Sequence, residues 1–347
     1  MKAAVLHGMN DLRWENVATP RIGPDEILLR VKATGICGSD FPRVLGNGAH
    51  FYPIILGHEF SGVVVEAGKD VAGIRPGARM TAAPLLPCFR CSDCAQGHYS
   101  LCRNYRFIGS RVSGSWAQYV KIPAINAVAL PEEISFEAGA LFEPTTVALH
   151  GLLLMKLPGG IDVAVVGIGT IGLLTLQCAK ALGARRAFAF DIDPHRLEIA
   201  REYGADFCYN TGDPGFRDQL RADLNGADLP AVIETAGVEF TEKLCLELAA
   251  NRGKVMFIGT PTRNITLSPR EFEQINRKEL TVGGSWMSYS APFPGREWSL
   301  AVHLFQNGRI RYQELIDHRL PLSRIAEVFA ALSVPGNVKG KIMLEGE

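Results

Sequence analysis

Four cysteines, Cys88, Cys91, Cys94 and Cys102, fall within fifteen residues. Thiolates at this spacing can converge on one tetrahedral Zn²⁺ in a closed structural site. Four thiolates also hold iron–sulfur clusters, a second reading of the same lobe. Upstream stand two further ligand types, Cys37 and His58, with Glu59 directly after His58, and downstream Glu143 lies in Phe142-Glu143-Pro144. A Cys, a His and a carboxylate around one ion leave a coordination position for substrate, as catalytic zinc requires. The chain therefore offers one closed metal site and one candidate open site.

A third feature is the run Gly167-Ile168-Gly169-Thr170-Ile171-Gly172, which follows the apolar strand Val163–Val166 and opens a helix. In that context the first glycine makes the tight turn. The second lets backbone approach a pyrophosphate, and the third lets helix and strand pack closely. Thr170 and Ile171 lie at the helix N-terminus, where phosphate charge is stabilised. Asp191 ends the next strand, where a carboxylate bonds a ribose 2′-hydroxyl and repels a 2′-phosphate; NAD is expected over NADP. Arg196, five residues on, either faces the adenosine ribose or a phosphate, or is a solvated helix charge. Two metal sites beside a nicotinamide cofactor suggest hydride chemistry on an alcohol.

These residues need two kinds of scaffold. Residues 1 to 149 carry short β-type runs broken by Gly and Pro, such as Ile27–Val31 and Ser61–Glu66, and predict a barrel-like β domain with ligand-bearing loops. From 150 to 287 apolar strands alternate with helices, the pattern of a parallel sheet covered on both faces. Helices predicted at Gly295–Gln306 and Leu322–Ala331 and a last strand, Lys341–Leu344, return residues 288–347 to the first domain.

Composition narrows the class. Of 347 residues 47% are hydrophobic, enough for a proper core, and 36 basic residues balance 36 acidic ones. No global field attracts a polyanion, so nucleic acid is excluded as a partner. No run approaches about 18 apolar residues, so no membrane partner is expected. The apolar start, Met1 to Leu6, ends at His7-Gly8, too short for a signal peptide. Cysteines three apart read as metal ligands in a reducing compartment, which makes the cytoplasm the expected location. Cys178, Cys208 and Cys245 sit among apolar neighbours and read as buried packing residues.

In order, Cys37, Gly57-His58-Glu59-x2-Gly62-x5-Gly68, the four-cysteine lobe, Glu143-Pro144 and the glycine run resemble the zinc-dependent medium-chain alcohol dehydrogenases over essentially the whole chain. Glu143, where some members have a second cysteine, resembles the polyol dehydrogenase branch. Residues 47–53, 84–89, 107–111 and 284–289 are similar to the dehydrogenases of galactitol 1-phosphate within it. The resemblance implies an α/β architecture: a GroES-like, β-rich catalytic domain (1–149 and 288–347) and a Rossmann doubly wound parallel sheet (150–287). It implies two Zn²⁺ per chain, NAD, and a homodimer or homotetramer; the strand Leu280–Gly283 and the aromatic-rich stretch after it would suit pairing across a two-fold axis. It also implies Cys37, His58 and either Glu143 or Glu59 around the catalytic ion, with the four cysteines around the structural one.

The activity so implied is oxidation of a secondary alcohol of a polyol phosphate to a ketose phosphate. Ser39 is placed to accept the substrate proton. Relatives often carry a histidine five residues after the first zinc cysteine; here that position is Pro42, so the relay runs through water or through His50. Arg43, Arg111, Lys339 and Lys341 are candidate phosphate donors or plain surface charges, and Trp286 and Tyr289 are candidate pocket walls or subunit contacts. Competing readings are a dehydrogenase of an unphosphorylated polyol or of threonine, and a catalytically inert nucleotide-binding protein.

Overall fold

The computed structural model of the chain describes residues 1–332 and 340–346. They form two compact units. The first contains Met1–Glu143, Tyr289–Asn307 and the described residues from Ile316 on; the second contains Pro144–Ser288 and Gly308–Leu315.

The first unit is built on the long strand Glu26–Gly35, whose Ile27, Leu29 and Val31 are fully buried while Arg30 points to solvent. Glu59–Ala67, Tyr119–Pro123 and Lys341–Glu345 all pair with it antiparallel. Arg79–Ala82, Ala127–Ala129 and Ile316–Pro321 complete a seven-stranded sheet. Phe60, Val64, Val120 and Ile122 close the core beneath it. Two register shifts, at Leu28/Leu29 and Val31/Ala33, interrupt the pairing with Glu59–Ala67. Such bulges bend a strand and raise its twist. Past them, Gly35 pairs with Glu59 on one side and Met343 on the other. That register brings the residues just after Gly35 to the start of one neighbour and of the chain's last strand. A smaller sheet, Lys2–Gly8 with Asp11–Asn16 and Ile54–Ile55, packs through Leu6, Ile54 and Leu56 on Trp116 and Phe329.

The second unit is a six-stranded, all-parallel sheet. Its spatial order is Phe207–Asn210, Ala187–Asp191, Val163–Val166, Leu229–Glu234, Ala249–Phe257, Thr281–Gly284. In sequence order this is 3-2-1-4-5-6, the doubly wound order, with its switch point between Val163–Val166 and Leu229–Glu234. The central strands are near-continuously apolar because helices cover both faces: Ala164, Val166, Phe188, Phe190, Val232 and Val255 are all buried.

The helix after the glycine run spans Thr170–Ala181, as its position after the fingerprint led one to expect. The helix Phe142–Met155 carries the Glu143 carboxylate in its first turn. Several elements differ from expectation. Helices Phe216–Leu224 and Pro269–Arg277 escaped the apolar pattern because they bury little: the first hides only Phe216 and Leu220, the second nothing. The second is instead started by a capping box between Ser268 and Glu271. Gly308–Leu315, assigned by sequence to the first domain, packs with the second unit. Among the described residues no helix is long and apolar enough to cross a membrane.

Candidate functional site

Cys37 follows the central strand and starts a 3-10 turn, Gly38–Asp40. Asp40 is fully buried, and its Oδ2 accepts the Cys37 backbone N–H at 3.1 Å. His58 and Glu59 arrive on the neighbouring strand. Gly57 before them has φ +93°, and a Cβ there would lie 2.4 Å from the Trp116 ring, so only glycine fits. The result is a cluster in which the Cys37 thiol, a His58 nitrogen and a Glu59 oxygen all lie within 4.8 Å of one another. His58 is buried, stands edge-on to Phe107, and its Nδ1 has no hydrogen-bond partner among the described residues; Asp40 Oδ1 is 3.8 Å away.

The electrostatics are those of too many acids in too little water. Burial, then the neighbouring Glu59 and Asp40 carboxylates, push the Cys37 thiol up to about 11, while Lys341 and the Ser39 hydroxyl draw it down. Burial likewise pushes Glu143 up to about 8; Glu59 and Cys37 add to the shift and His58 opposes it. Glu143 thus belongs to the same electrostatic neighbourhood, although it is outside the 4.8 Å set. A buried set of thiol, imidazole and carboxylates, in which burial and mutual repulsion hold Cys37 and Glu143 protonated, fits a divalent ion of the zinc type, whose binding displaces those protons.

One partner of this set escaped sequence reading. Lys341, proposed from sequence as a phosphate donor, is buried, and its Nζ donates to both Glu59 oxygens at 2.6 and 2.7 Å and to Ile36 O at 3.0 Å. Burial works against its charge, yet Glu59, Cys37 and Glu143 around it hold its pKa above the usual lysine range. It is a counter-ion of the cluster. Asp40 was missed too, though Cys37-x2-Asp40 was a local signal. Lys339 lies outside the described residues.

Arg43, His50, Arg111 and Tyr289 also belong to this unit. Arg43 Nη1 donates to Ser39 Oγ and to Asp40 Oδ1, each at 3.0 Å. His50 is exposed; partial burial, then the Arg111 and Arg43 guanidiniums, lower its pKa. Arg111 lies over the Tyr105 ring at 4.6 Å. Tyr289 is buried, accepts the Leu85 N–H through its hydroxyl and stacks on Phe293 and Trp298.

The four-cysteine lobe is local. Cys91 caps a single turn, Ser92–Ala95, and all four Sγ atoms lie within 4.8 Å of one another. Cys91 and Cys102 are 3.9 Å apart, close to the roughly 3.8 Å edge of a tetrahedron with Zn–S bonds of about 2.3 Å. Backbone N–H groups of Cys94 and Arg103 lower the Cys91 thiol to about 6, and burial together with the neighbouring thiols raises Cys94 to about 12. The donor set fits a structural Zn²⁺.

In the second unit Gly167 has φ +90°, and Gly169 caps the helix Thr170–Ala181. A Cβ at Gly172 would lie 1.9 Å from Gly167 O, whereas one at Gly169 would meet nothing within 4 Å. Gly172 is therefore the packing glycine and Gly169 the open one, which leaves room for a phosphate at the first N–H groups of the helix, Thr170 and Ile171 among them. Asp191 Oδ2 accepts the Ile168 N–H and its Oδ1 the Asp193 N–H. Arg196 Nη1 stands 3.9 Å from Asp191 Oδ2. Trp286 is half exposed.

Residues 23–132 match the family model for the alcohol dehydrogenase GroES-like domain, and residues 170–307 match that for zinc-binding dehydrogenases. Galactitol 1-phosphate 5-dehydrogenase of Escherichia coli is 41% identical over 90% of this chain and 92% of its own length. The crystal structure of galactitol-1-phosphate dehydrogenase from that organism superposes with a TM-score of 0.95 at 39% identity, covering 99% of this chain and 100% of that one. Sorbitol dehydrogenase of Bacillus subtilis is 34% identical over 76% of each chain. A Sinorhizobium meliloti chain solved with NADP has a TM-score of 0.88 at 34% identity, covering 99% of this chain and 98% of that one. With relatives of this identity spanning nearly its whole length and both halves matched by family models, the chain belongs to the zinc-binding medium-chain alcohol and polyol dehydrogenases.

Proposed function

We propose that the protein oxidises a secondary alcohol of a polyol phosphate, galactitol 1-phosphate, to a ketose phosphate with hydride transfer to NAD. The observation that carries the reading is the Cys37–His58–Glu59 cluster with Glu143 beside it, in a chain so similar to a galactitol 1-phosphate dehydrogenase. Cys37, His58 and one of the two glutamates would hold the catalytic Zn²⁺, which supplies Lewis acidity that lowers the pKa of the substrate hydroxyl. Lys341 offsets the charge of Glu59, and Asp40 fixes the loop that carries Cys37. Ser39, exposed and next to Cys37, takes the proton from the substrate hydroxyl. His50, its pKa lowered by its basic neighbours, is a neutral base at neutral pH and passes that proton to water. Replacing it with alanine would leave the pH–rate profile unchanged only if water alone carries the relay.

Arg43 and Arg111 both lie near enough to His50 to lower its pKa, and a planar fork suits phosphate oxygens. Trp286 would wall the substrate. The four cysteines would hold the structural Zn²⁺ and supply folding free energy to a lobe with little core. Gly167, Gly169, Thr170, Ile171 and Gly172 would cradle the pyrophosphate. Asp191 favours NAD; Arg196 beside it is the residue through which NADP would be admitted. The strand Thr281–Gly284 ends its sheet, an edge suited to pairing two copies about a two-fold axis.

The deciding experiment is reduction of NAD and of NADP with galactitol 1-phosphate, galactitol, sorbitol and threonine, with and without a chelator. The expected result is chelator-sensitive turnover of the phosphorylated polyol with NAD. Equal kcat/KM for galactitol and its phosphate would reject phosphate recognition, and Arg43→Ala should raise KM for the phosphate ester by roughly tenfold.

A further inference from the structure

The strand Leu229–Glu234 ends in a carboxylate that has no part in the proposed chemistry. Glu234 is fully buried. Its Oε1 accepts three hydrogen bonds, from Ala236 N at 2.7 Å, Gly237 N at 2.8 Å and Thr241 Oγ1 at 2.6 Å. Its Oε2 has no hydrogen-bond partner among the described residues. A buried carboxylate with no ion-pair partner among the described residues is costly, and the three donors on Oε1 offset that cost. The carboxylate enforces a turn. The turn closes around one oxygen, hands the chain to the helix Glu239–Leu248, and is backed by Gly259, where a Cβ would come within 2.3 Å of Glu234 Oε2.

What the turn touches gives it meaning. Thr235 N donates to Val166 O at 2.9 Å, and Thr235 Oγ1 donates to Gly167 O. A Cβ on Gly167 would lie 2.7 Å from the Ala236 Cβ, and one on Gly172 would lie 3.0 Å from Thr235 Oγ1. The turn is thus the wall against which the first and third glycines of the fingerprint are shaped.

We propose that Glu234 is a positioning residue for the dinucleotide: by gathering the Ala236, Gly237 and Thr241 donors on one oxygen, it holds Thr235 and Ala236 where they fix the conformation of the Gly167 loop. This rests on the dinucleotide reading of that loop. Its effect is on cofactor affinity, not on the chemical step. A turn released from Glu234 lets the loop sample shapes that no longer present its N–H groups together, and the fraction competent to bind falls.

The test is fluorescence titration with NADH and NADPH, alongside thermal unfolding, for the wild type, Glu234→Ala, Glu234→Gln, Thr235→Val and Asp162→Asn. Asp162 is a buried carboxylate of the same unit, bound by Arg185 and Arg186, and serves as the purely structural control. For the dinucleotide that the wild type binds more tightly, Glu234→Ala should raise Kd about tenfold and Thr235→Val several-fold. Glu234→Gln, which keeps an acceptor oxygen, should recover most of the affinity, and Asp162→Asn should lower Tm with Kd unchanged. In turnover, KM for the dinucleotide should rise while kcat is kept. A Glu234→Ala variant that loses Tm as Asp162→Asn does but binds with wild-type Kd would overturn the proposal. If that variant does not fold, wild-type Kd in both Glu234→Gln and Thr235→Val overturns it. A wild type that binds neither dinucleotide removes the cofactor reading and the proposal together.

Discussion

The two cysteine-bearing clusters of the first unit are both suited to a cation, yet they are built in opposite ways. The four-cysteine lobe takes all its donors from fifteen consecutive residues and stabilises its thiolates with backbone N–H groups of the same loop. The Cys37 cluster draws on a loop, a neighbouring strand, a helix and the last strand of the chain. It also holds more ionisable groups than its ligands require: Glu59, Glu143 and Asp40 on one side, Lys341 on the other. The difference teaches that a saturated sulfur site can be a local object, whereas a site that leaves a position free has its charge balanced by the surrounding fold.

The sharpest way to break this comparison is to remove one ligand from each cluster. Cys37→Ser should cut turnover by roughly a thousandfold, on the order of 4 kcal/mol of transition-state stabilisation. Metal content should drop from two ions per chain to one, with Tm little changed. A Cys37→Ser protein that keeps both ions and its activity sinks the assignment. Next in size is Lys341→Met. It strands the Glu59 carboxylate in a buried site, and urea unfolding of chelator-treated protein should show a loss of about 3 kcal/mol. Because a bound cation would neutralise the same carboxylate, the loss should shrink in metal-loaded protein. An equal loss in both states would show that Glu59 and the metal site are uncoupled.

Cys102→Ser tests the other side. It should lower stability by about 2 kcal/mol and remove one ion, while turnover per folded chain is retained. The smallest effect is a control from the second unit. Asp162 is held down to about 2: burial acts against this, and hydrogen bonds and charge from Arg185 and Arg186 overcome it. A depressed carboxylate contributes stability that is fully present above pH ~4 and is lost as pH falls through about 2. Asp162→Asn should therefore cost about 1 kcal/mol at neutral pH and flatten the acid limb of the stability curve between those values, with or without chelator. A chelator-dependent acid limb in this variant would mean that metal-site titration, and not this pair, governs acid unfolding.

The fold was legible where apolar residues recur without interruption. Val163–Val166 and Ala187–Asp191 read as buried parallel strands because both faces are covered, and they are. Legibility failed where burial is slight, as in Pro269–Arg277, whose start is set by a cap rather than by a core face. In the site, Cys37, His58 and Glu59 were found through their types and order, and the structure gathers them. Sequence alone offered Tyr289 as a pocket wall or subunit contact and Lys341 as a phosphate donor or surface charge; the structure buries both. Both are enclosed by residues remote in sequence, Leu85 and Ser100 for the tyrosine and Glu59 and Ile36 for the lysine.

By itself the amino-acid sequence determined what is local: four thiols on one loop, a glycine turn between an apolar strand and a helix, and an acid at the next strand's end. Spacing suffices there because the chain can bring such groups together within one or two turns. Tertiary structure alone decided the partners of the charged groups. Lys341 meets Glu59 across 282 positions of sequence because Gly35 pairs with Glu59 and Met343 at once. Glu234 controls a glycine loop on the adjacent strand because the two strands are parallel neighbours at the switch point of the sheet. Registers between distant strands are set by the packing of whole sheets, and no short-range pattern encodes them.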